Sequence, residues 1–364
     1  MADKIFLIAG ARPNFMKIAP LIRELKKRNL EYKLIHTGQH YDYEMSKIFF
    51  DGLGIPEPEI YLNIGSASHA VQTAKIMIEF EKVILNEKPS LIVVVGDVNS
   101  TLACSLVAKK LNIKIAHVEA GLRSFDQRMP EEINRILTDQ LSDFLFITEP
   151  SAEANLKREG IDQNKIFFVG NIMIDNLLIN LDEARNLNTL IKYSLKLKDF
   201  ALMTIHRPSN VDNVASLKRI IEIINYIQER MKVFFPIHPR TRKRLKEFDL
   251  EKNLIKSNLI LSEPIGYLEF LNLMLNSRVI LTDSGGIQEE ASYLKVPVLT
   301  MRENTERPIT IEKGTNEIVG TDFEKIKNYI NKILTDTYKK GQNIEKWDGK
   351  TSERIVDIIE KKIN

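Results

Sequence analysis

Short apolar runs alternate with longer amphipathic stretches along almost the whole chain. The apolar runs predict strands at residues 4–9, 32–36, 91–95, 113–118, 144–147 and 166–169, and again at 201–205, 233–237, 259–261, 279–281 and 297–301. Most of these runs are continuously apolar, which is typical of parallel strands covered on both faces. The alternation of strands with helices predicts an α/β fold with two Rossmann-like, doubly wound sheets.

The amphipathic stretches predict the helices that cover these sheets, at residues 18–27, 70–85, 100–111, 131–141, 215–229, 267–275 and 287–293. A helical, polar region at 175–198 separates the two sets of strands. We therefore predict two domains, residues 1–172 and 173–350. The final stretch, 351–364, places isoleucines on one face, which predicts a helix that packs back onto one of the domains.

Composition narrows the class of protein. The chain has 364 residues, of which 43% are hydrophobic and 28% charged, as in ordinary soluble proteins. The net charge of +3 is too small to indicate nucleic acid or an anionic membrane as a partner, and no apolar run approaches the ~20 residues that cross a bilayer. No signal-peptide pattern precedes the first strand, and Cys104 is the only cysteine. We expect a cytoplasmic protein without nucleic-acid partners, membrane insertion or internal disulfides.

The run 281–291 carries the strongest functional signal. A short strand ends in Asp283-Ser284-Gly285-Gly286, and a helix opens on the glycines. A helix N-terminus favours anions, and glycine lets a phosphate approach the backbone. Glu289 and Glu290, one turn later, suit the hydroxyls of a ribose. Taken alone, the run is equally compatible with an ordinary helix start whose first turn is acidic.

Other predicted strands also end in chemically active side chains. Because the carboxyl ends of parallel strands lie at one edge of a sheet, where ligands bind in open α/β folds, we expect a shared cleft between the domains. The split of charge predicts that the second domain binds a nucleotide diphosphate and that the first does acid/base chemistry on the attached group. The candidates are Arg12, Lys17, Asp97, Glu119, Glu131 and Glu132 in the first domain, and His206, Arg207, Ser284, Gly285, Gly286, Arg302 and Arg307 in the second.

Several classes of site are disfavoured. The six histidines lack HExxH or HxH spacing and have no cysteine partners, so we expect no metal site. Residues 10–17 do not form GxGxxG, and GxxxxGK[ST] is missing from the sequence, which disfavours a dinucleotide or P-loop site. The basic run at 240–246 is most simply a solvated helix face.

Taken together, these motifs make the chain similar to the non-hydrolysing UDP-N-acetylglucosamine 2-epimerases, from residue 4 to about residue 360. The resemblance implies the two-domain GT-B architecture with a central cleft, a last helix that crosses back to the first domain, and a homodimer. The motifs are Gly10-Ala-Arg-Pro with Lys17, Gly96-Asp97, His117-Val-Glu119-Ala-Gly-Leu-Arg123, Pro130-Glu-Glu-Ile-Asn134-Arg135, His206-Arg207, Asp283-Ser-Gly-Gly-Ile-Gln-Glu-Glu290 and Thr305-Glu-Arg307-Pro.

The resemblance also implies a reaction that uses no metal or redox cofactor. UDP leaves C1 of UDP-GlcNAc as a base removes the C2 proton, giving 2-acetamidoglucal. UDP then adds back while C2 is protonated on the opposite face, giving UDP-ManNAc. By position in the motifs, the catalytic residues are Lys17, Asp97, Glu119, Glu131, Arg135 and His206, and the residues that bind the UDP-sugar are Arg12, Lys17, His206, Arg207, Ser284, Gly285, Gly286, Glu290 and Arg307.

The chain departs from the family pattern at several positions. Asn14 stands where the family commonly has an acidic residue, and residues 41–45 read Tyr-Asp-Tyr-Glu-Met instead of a basic pattern. His206-Arg207 continues as Pro-Ser-Asn, and His238 continues as Pro-Arg-Thr. The last three regions resemble the parts where many bacterial members bind a second, activating UDP-GlcNAc, so that form of regulation is left open.

Other functions also stay open. A hydrolysing epimerase would release ManNAc and UDP from a similar site, and relatives act on UDP-2,3-diacetamido uronic acid sugars. A GT-B glycosyltransferase would need an acceptor groove and has little use for Asp97, Glu119 and Glu131 together. A non-catalytic nucleotide-sugar sensor is the binding-module alternative, and the intact set of carboxylates argues against it.

Overall fold

The computed structural model describes residues 4–38, 50, 54–255 and 257–363, apart from the side chains of Arg12 and Ile363. The chain forms two compact units. The first comprises Met1–Asn176 and Glu345–Asn364, and the second comprises Leu177–Ile344. Within the described ranges, no helix is both long enough and apolar enough to span a membrane.

Each unit contains a sheet whose neighbouring strands pair in parallel. In the first unit, the strands are β1 (Ile5–Ala9), β2 (Tyr32–His36), β3 (Ile60–Tyr61), β4 (Leu91–Val95), β5 (Lys114–Ala120), β6 (Phe144–Ile147) and β7 (Ile166–Phe168). In the second unit, they are β8 (Phe200–Thr204), β9 (Lys232–Pro236), β10 (Leu259–Ser262), β11 (Val279–Thr282), β12 (Val298–Thr300) and β13 (Asn316–Ile318).

Helices alternate with the strands along the chain. They are α1 (Arg12–Lys27), α2 (His69–Glu87), α3 (Asn99–Lys110), α4 (Pro130–Leu141), α5 (Pro150–Arg158), α6 (Ile172–Arg185), α7 (Thr189–Lys192), α8 (Pro208–Val211), α9 (Val214–Gln228), α10 (Pro239–Glu247), α11 (Tyr267–Asn276), α12 (Gly285–Tyr293), α13 (Ile309–Glu312), α14 (Phe323–Leu334) and α15 (Thr351–Ile363). Short 3₁₀ turns lie at Gln163–Lys165 and Glu251–Asn253.

The order of strands shows where each sheet changes its direction of winding. The order is β3-β2-β1-β4-β5-β6-β7 in the first sheet and β10-β9-β8-β11-β12-β13 in the second. The winding reverses between β1 and β4 and between β8 and β11. In doubly wound folds, ligands bind beyond the carboxyl ends of the strands at this switch point. The predicted α/β class with two doubly wound sheets is confirmed, and each sheet has one such point among its described strands.

Alternate residues of β1 pack into two different apolar clusters. Leu7 packs with residues of α1 and α15, whereas Phe6 and Ile8 pack with residues of α2 and α3. Because side chains alternate across a strand, the first sheet is covered on both faces. The second sheet divides its apolar side chains between two clusters in the same way.

The C-terminal segment is tied to the first unit by polar contacts as well as by its apolar face. The indole Nε1 of the buried Trp347 donates to the carbonyl oxygen of Thr148 at 3.3 Å. The backbone N–H groups of Thr351 and Ser352 donate to the carboxylate of Asp175 at 3.0 and 2.7 Å, respectively. Asp175 therefore satisfies two first-turn N–H groups of α15.

The structure differs from the predicted elements in several places, and helices α5 and α14, for example, were not predicted. β3 and β13 were missed because strands of two and three residues give no apolar run. α1 begins at Arg12 instead of residue 18, since Pro13 fits the first turn of a helix, where its missing N–H has no intrahelical partner. β5 continues through Glu119 to Ala120, although the sequence indicated that this strand stops before Glu119.

Candidate active site

Gly96 marks the switch point of the first sheet, immediately after β4. Its φ of +68° lies in the left-handed region. A Cβ placed on Gly96 would come within 3.0 Å of Lys17 Nζ and 3.5 Å of Glu119 Oε2. Glycine gives both this conformation and this clearance without strain. The turn therefore allows Lys17, from α1, and Glu119, from β5, to lie against the backbone that precedes Asp97.

Glu119 has an unusual backbone conformation inside β5. Its φ of +70° is uncommon for a residue with a side chain, and the register of β5 with β6 shifts between Val118 and Ala120. Such bulges often redirect a side chain beside an active site. The buried carboxylate of Glu119 forms an ion pair with the buried ammonium of Lys17. This strained position is the kind of backbone feature that clusters at functional sites.

Asp97 and Arg135 form a second charged pair at the same edge of the sheet. Nη1 of Arg135 donates to Oδ2 of Asp97 at 2.5 Å, and Asn134 Nδ2 donates to the Asp97 carbonyl oxygen at 2.9 Å. The side chain of Arg135 is 3% exposed, whereas that of Asp97 is 30% exposed. A buried cation thus orients a carboxylate that a ligand can reach.

Glu132 supports Arg135 from the first turn of α4. Nη2 of Arg135 donates to Oε2 of Glu132 at 2.6 Å, and the N–H groups of Ser124 and Phe125 also donate to this carboxylate. Burial alone would raise the pKa of Glu132, but the hydrogen bonds from Ser124, Arg135 and Phe125 hold that pKa below its usual range. Glu131 lies in the same first turn and is half-buried.

Asp283 organises the switch point of the second sheet. Its fully buried carboxylate accepts the backbone N–H groups of His206 at 2.9 Å and Arg207 at 2.8 Å, and Nδ1 of His206 lies 2.9 Å away. Burial would raise the pKa of Asp283, but the contacts with His206 and Arg207 hold it below its usual range. Asp283 therefore fixes the turn after β8 and orients the imidazole of His206, whose side chain is 40% exposed.

The helix that opens after β11 combines two features that suit a diphosphate. Ser284 is the N-cap residue of α12, and Gly285 and Gly286 form its first turn. A Cβ on Gly285 would lie 2.6 Å from Nη1 of Arg307, so the guanidinium occupies the space that a side chain would fill. First-turn N–H groups and a guanidinium both stabilise phosphate oxygens.

Carboxylates hold Arg307 in this position. Nε of the buried Arg307 lies 2.9 Å from Oε1 of Glu289, and its Nη1 pairs with Glu306. Glu306 also pairs with Arg302 at 2.8 Å. The sequence pattern predicts that Glu289 and Glu290 both bind a ribose, but in the structure Glu289 is an ion-pair partner of Arg307.

Glu290 lies in a different electrostatic environment from its neighbour. It is 3% exposed, and its Oε1 accepts a hydrogen bond from the hydroxyl of Tyr267 at 2.6 Å. Burial raises the pKa of Glu290 to about 7, opposed by the hydrogen bond from Tyr267 and assisted by the charge of Glu289. Ribose binding by Glu290 stays a prediction.

The predicted site residues fall into two groups, one in each unit. In the first unit, Lys17, Asp97, Glu119 and Arg135 are brought together around Gly96, and Glu131 lies one turn of α4 away from Arg135. In the second, His206 and Arg207 meet Asp283, and Arg307 meets the start of α12.

Some predictions fall outside the described residues. They are the side chain of Arg12 and the stretch 41–45, where the chain departs from the family pattern. In the part of the chain that is described, no three or more His, Cys, Asp or Glu side chains are arranged to hold a metal ion. The basic run on α10 is paired, since Asp212 contacts both Arg240 and Arg244.

Sequence reasoning missed the residues that hold the candidates in place. Asp283 and Glu306 lie inside the motifs quoted above, so their positions were visible but their partners were not. Tyr267 gave no signal beyond the apolar start of a helix. The contacts of Asp283 with His206 and of Tyr267 with Glu290 join residues far apart in sequence, and only the fold reveals them.

The sequence matches the family model described as UDP-N-acetylglucosamine 2-epimerase over residues 23–360. The chain belongs to this family. The resemblance carried by the motifs is therefore confirmed at the level of the 2-epimerase family.

Members of the family match the chain over nearly its full length. The UDP-N-acetylglucosamine 2-epimerase of Methanocaldococcus jannaschii is 50% identical over 363 residues, which cover 98% of each chain. A crystal structure of M. jannaschii UDP-GlcNAc 2-epimerase in complex with UDP-GlcNAc and UDP matches with a TM-score of 0.89 at 50% identity and covers 98% of this chain and 99% of that one. The UDP-2,3-diacetamido-2,3-dideoxy-D-glucuronate 2-epimerase of Pseudomonas aeruginosa is 41% identical over 363 residues, 98% of this chain and 99% of its own. The fold of this 2-epimerase family member is therefore that of solved relatives.

Proposed function

We propose that this 2-epimerase family member interconverts UDP-GlcNAc and UDP-ManNAc without hydrolysis. UDP is eliminated from C1 as the C2 proton is removed, and UDP adds back to 2-acetamidoglucal while C2 is protonated on the opposite face. One observation carries the proposal. Two cation–carboxylate pairs, Asp97 with Arg135 and Glu119 with Lys17, lie at one sheet edge of a chain that belongs to the family.

Departure of UDP requires stabilisation of the negative charge that develops on the diphosphate. In the second unit, the first turn of α12, the guanidinium of Arg307 and the imidazole of His206 supply donors for this purpose. Preorganised donors of this kind contribute a large share of catalysis when they face developing charge. Glu290 is proposed to accept hydrogen bonds from the ribose hydroxyls of the same nucleotide.

Inversion at C2 requires proton transfer on two faces of the sugar ring. Asp97, Glu119 and Glu131 are the proposed proton-transfer set, since all three belong to the switch-point edge of the first sheet or to the adjoining turn of α4. Arg135 and Lys17 keep two of these carboxylates oriented through direct ion pairs. The mechanism requires that both groups of residues act on one nucleotide sugar.

A second candidate substrate is a UDP-2,3-diacetamido uronic acid sugar, because the P. aeruginosa relative that carries that name is 41% identical over nearly the whole chain. The same elimination and re-addition at C2 would apply to it. For either substrate we propose a cytoplasmic protein, as the composition suggests, and a homodimer, as the resemblance to the family implies.

Proton NMR of the protein with UDP-GlcNAc in D₂O tests the proposal. The expected result is loss of the C2 proton signal together with a growing UDP-ManNAc signal. Accumulation of free ManNAc and UDP as the main products would establish the hydrolysing activity instead. The kcat/KM for UDP-GlcNAc is then compared with the kcat/KM for the UDP-2,3-diacetamido uronic acid sugar, and the larger value identifies the preferred substrate.

A further inference from the structure

His117 is a buried histidine of β5 that the proposed chemistry does not use. Its side chain is 0% exposed, and both of its ring nitrogens have close partners. Nδ1 lies 2.6 Å from Oδ1 of Asp139, and Nε2 lies 2.8 Å from the carbonyl oxygen of Gly96. The ring therefore links α4, which carries Asp139, to the turn that precedes Asp97.

The chemistry of these partners decides where the ring protons are. The carbonyl oxygen of Gly96 can only accept a hydrogen bond, so Nε2 must donate. Burial would raise the pKa of Asp139, but His117 and Arg123 outweigh it and hold that pKa below its usual range. An ionised carboxylate also only accepts, so Nδ1 must donate as well.

The rest of the Asp139 environment supports this assignment. Its Oδ2 accepts the N–H of Gly121 at 3.0 Å and lies 2.7 Å from Nη2 of Arg123, whose side chain is 1% exposed. The guanidinium of Arg123 and the N–H of Gly121 both stabilise the ionised form of this buried carboxylate. If one ring nitrogen carried no proton, its lone pair would face an acceptor oxygen of either Asp139 or Gly96.

The contact with Gly96 has a consequence for the candidate active site. The carbonyl of Gly96 fixes the peptide plane that leads into Asp97, while the bare Cα of Gly96 makes room for Lys17 and Glu119. A rotation of this peptide would move Asp97 relative to Arg135 and close the space beside Gly96. Displacement of a catalytic group by about 1 Å can cost on the order of a hundredfold in rate.

We propose that His117 is a positioning residue for epimerisation: its ring donates from both nitrogens, and the bond from Nε2 to the Gly96 carbonyl holds Asp97 and the Lys17–Glu119 pair in their working arrangement. This inference rests on the proposed function only for its kinetic consequence. The protonation of the ring is a property of the free protein.

Nitrogen NMR of the full-length protein labelled with ¹⁵N-histidine tests the ring directly. Both nitrogens of His117 are expected to carry a proton, because each faces an acceptor oxygen, and Asp139→Asn is expected to remove one of them. A wild-type ring with one unprotonated nitrogen would overturn the proposal. A wild-type protein that shows the two ring protons but does not epimerise contradicts the proposed function alone.

Two variants of equal polarity separate the two bonds of the ring. In His117→Gln, the new amide nitrogen stands as many bonds from Cα as Nε2 does in histidine, so this variant keeps a donor for Gly96. In His117→Asn, the amide nitrogen matches Nδ1 instead, so that variant keeps a donor only for Asp139. We expect kcat to fall about 10- to 100-fold in His117→Asn. The kcat of His117→Gln should be at least about tenfold higher than that of His117→Asn. The UDP dissociation constant should be unchanged in both variants.

Ser105→Ala is the matched control, since it removes another buried hydrogen bond, from Ser105 Oγ to the Thr101 carbonyl, in which Gly96 takes no part. It should leave kcat within about twofold of wild type. Equal kcat values for the Asn and Gln variants, in proteins of similar thermal stability, would overturn the positioning role. Should the Asn variant fail to fold, the ring NMR still decides, because one bare nitrogen contradicts the proposal.

Discussion

Each unit has a buried glutamate beside its switch point, and the pKa values of these two glutamates are shifted in opposite directions. Glu132 in the first unit and Glu290 in the second are 1% and 3% exposed, and each lies within the first two turns of a helix beside a switch point. Backbone N–H groups and Arg135 surround Glu132, and its pKa is lowered. Glu290 accepts a phenol O–H and lies beside Glu289, and burial raises its pKa to about 7.

The difference teaches what each site is built to do. In the first unit, Arg135 and backbone N–H groups keep Glu132 ionised, and Glu132 in turn holds Arg135 against Asp97, one of the groups that are proposed to act on the sugar. In the second unit, Glu290 is close to its titration point at neutral pH, so its charge responds to pH and to a bound ligand. Burial favours a raised pKa in both glutamates, and the hydrogen bonds from Arg135, Ser124 and Phe125 reverse that effect only in Glu132.

The largest expected effect is on the stability of the first unit. Arg135→Met removes the cation shared by Glu132 and Asp97 and leaves a buried carboxylate without it. We expect the free energy of unfolding to fall by about 3–5 kcal/mol, measured by urea denaturation at pH 7. Arg128→Met is the control, because the Arg128 side chain is 90% exposed and its loss should change stability by no more than about 0.5 kcal/mol. Equal losses of stability in Arg135→Met and Arg128→Met would show that the buried cation does not stabilise the first unit.

Glu290→Gln should increase stability at alkaline pH, which is the opposite of the effect expected for Arg135→Met. The folded-state pKa of about 7 lies above the ordinary value of 4.5. The folded protein therefore binds the proton more tightly than the unfolded chain, and stability declines as pH rises between these two values. The amide removes this decline, so the variant should be more stable than wild type at pH 8 by up to about 3 kcal/mol. A wild-type curve parallel to that of Glu290→Gln from pH 4 to 8 would show that Glu290 does not titrate in this range.

The same variant should bind UDP less well, because a neutral amide makes a weaker pair with ribose hydroxyls than a carboxylate does. We expect calorimetry at pH 8 to show a loss of about 1.5–3 kcal/mol. The affinity of the wild type for UDP should decrease as the pH falls below about 7, whereas the affinity of Glu290→Gln for UDP should not show this decrease. The variant should also discriminate less between UDP and 2′-deoxy-UDP. Equal losses for both ligands would assign Glu290 a purely structural part.

The smallest predicted change concerns the cation of the second unit. Gly285→Ala places a Cβ 2.6 Å from the present position of Arg307 Nη1, so the guanidinium must move. We expect UDP affinity to fall by about 1.5 kcal/mol, the scale of one hydrogen bond to a charged group. Gly266→Ala is the control, since its Cβ would meet nothing within 4 Å. Unchanged UDP affinity in Gly285→Ala would place the diphosphate elsewhere.

The sequence predicted the fold class and most strands because buried parallel strands are continuous apolar runs. Patterns could not show the ion pair of Glu119 with Lys17 or the hydrogen bond of Glu290 with Tyr267, because they join residues distant in sequence. The bulge at Glu119 was equally hidden, since a positive φ at a non-glycine residue leaves no compositional mark. Motifs thus predicted which residue types meet, and the fold supplied their partners and charges.

The division of labour between the units is tested most directly by solvent deuterium uptake at C2, measured from UDP-GlcNAc and from UDP-ManNAc in Asp97→Asn, Glu119→Gln and Glu131→Gln. Calorimetry on the same proteins should give UDP affinities close to wild type, since the nucleotide is proposed to bind residues of the second unit. We predict that turnover falls by about 10²–10⁴ where the carboxylate transfers a proton, and that a carrier for one face retains uptake from a single epimer. Near wild-type uptake from both epimers in all three variants would contradict the account.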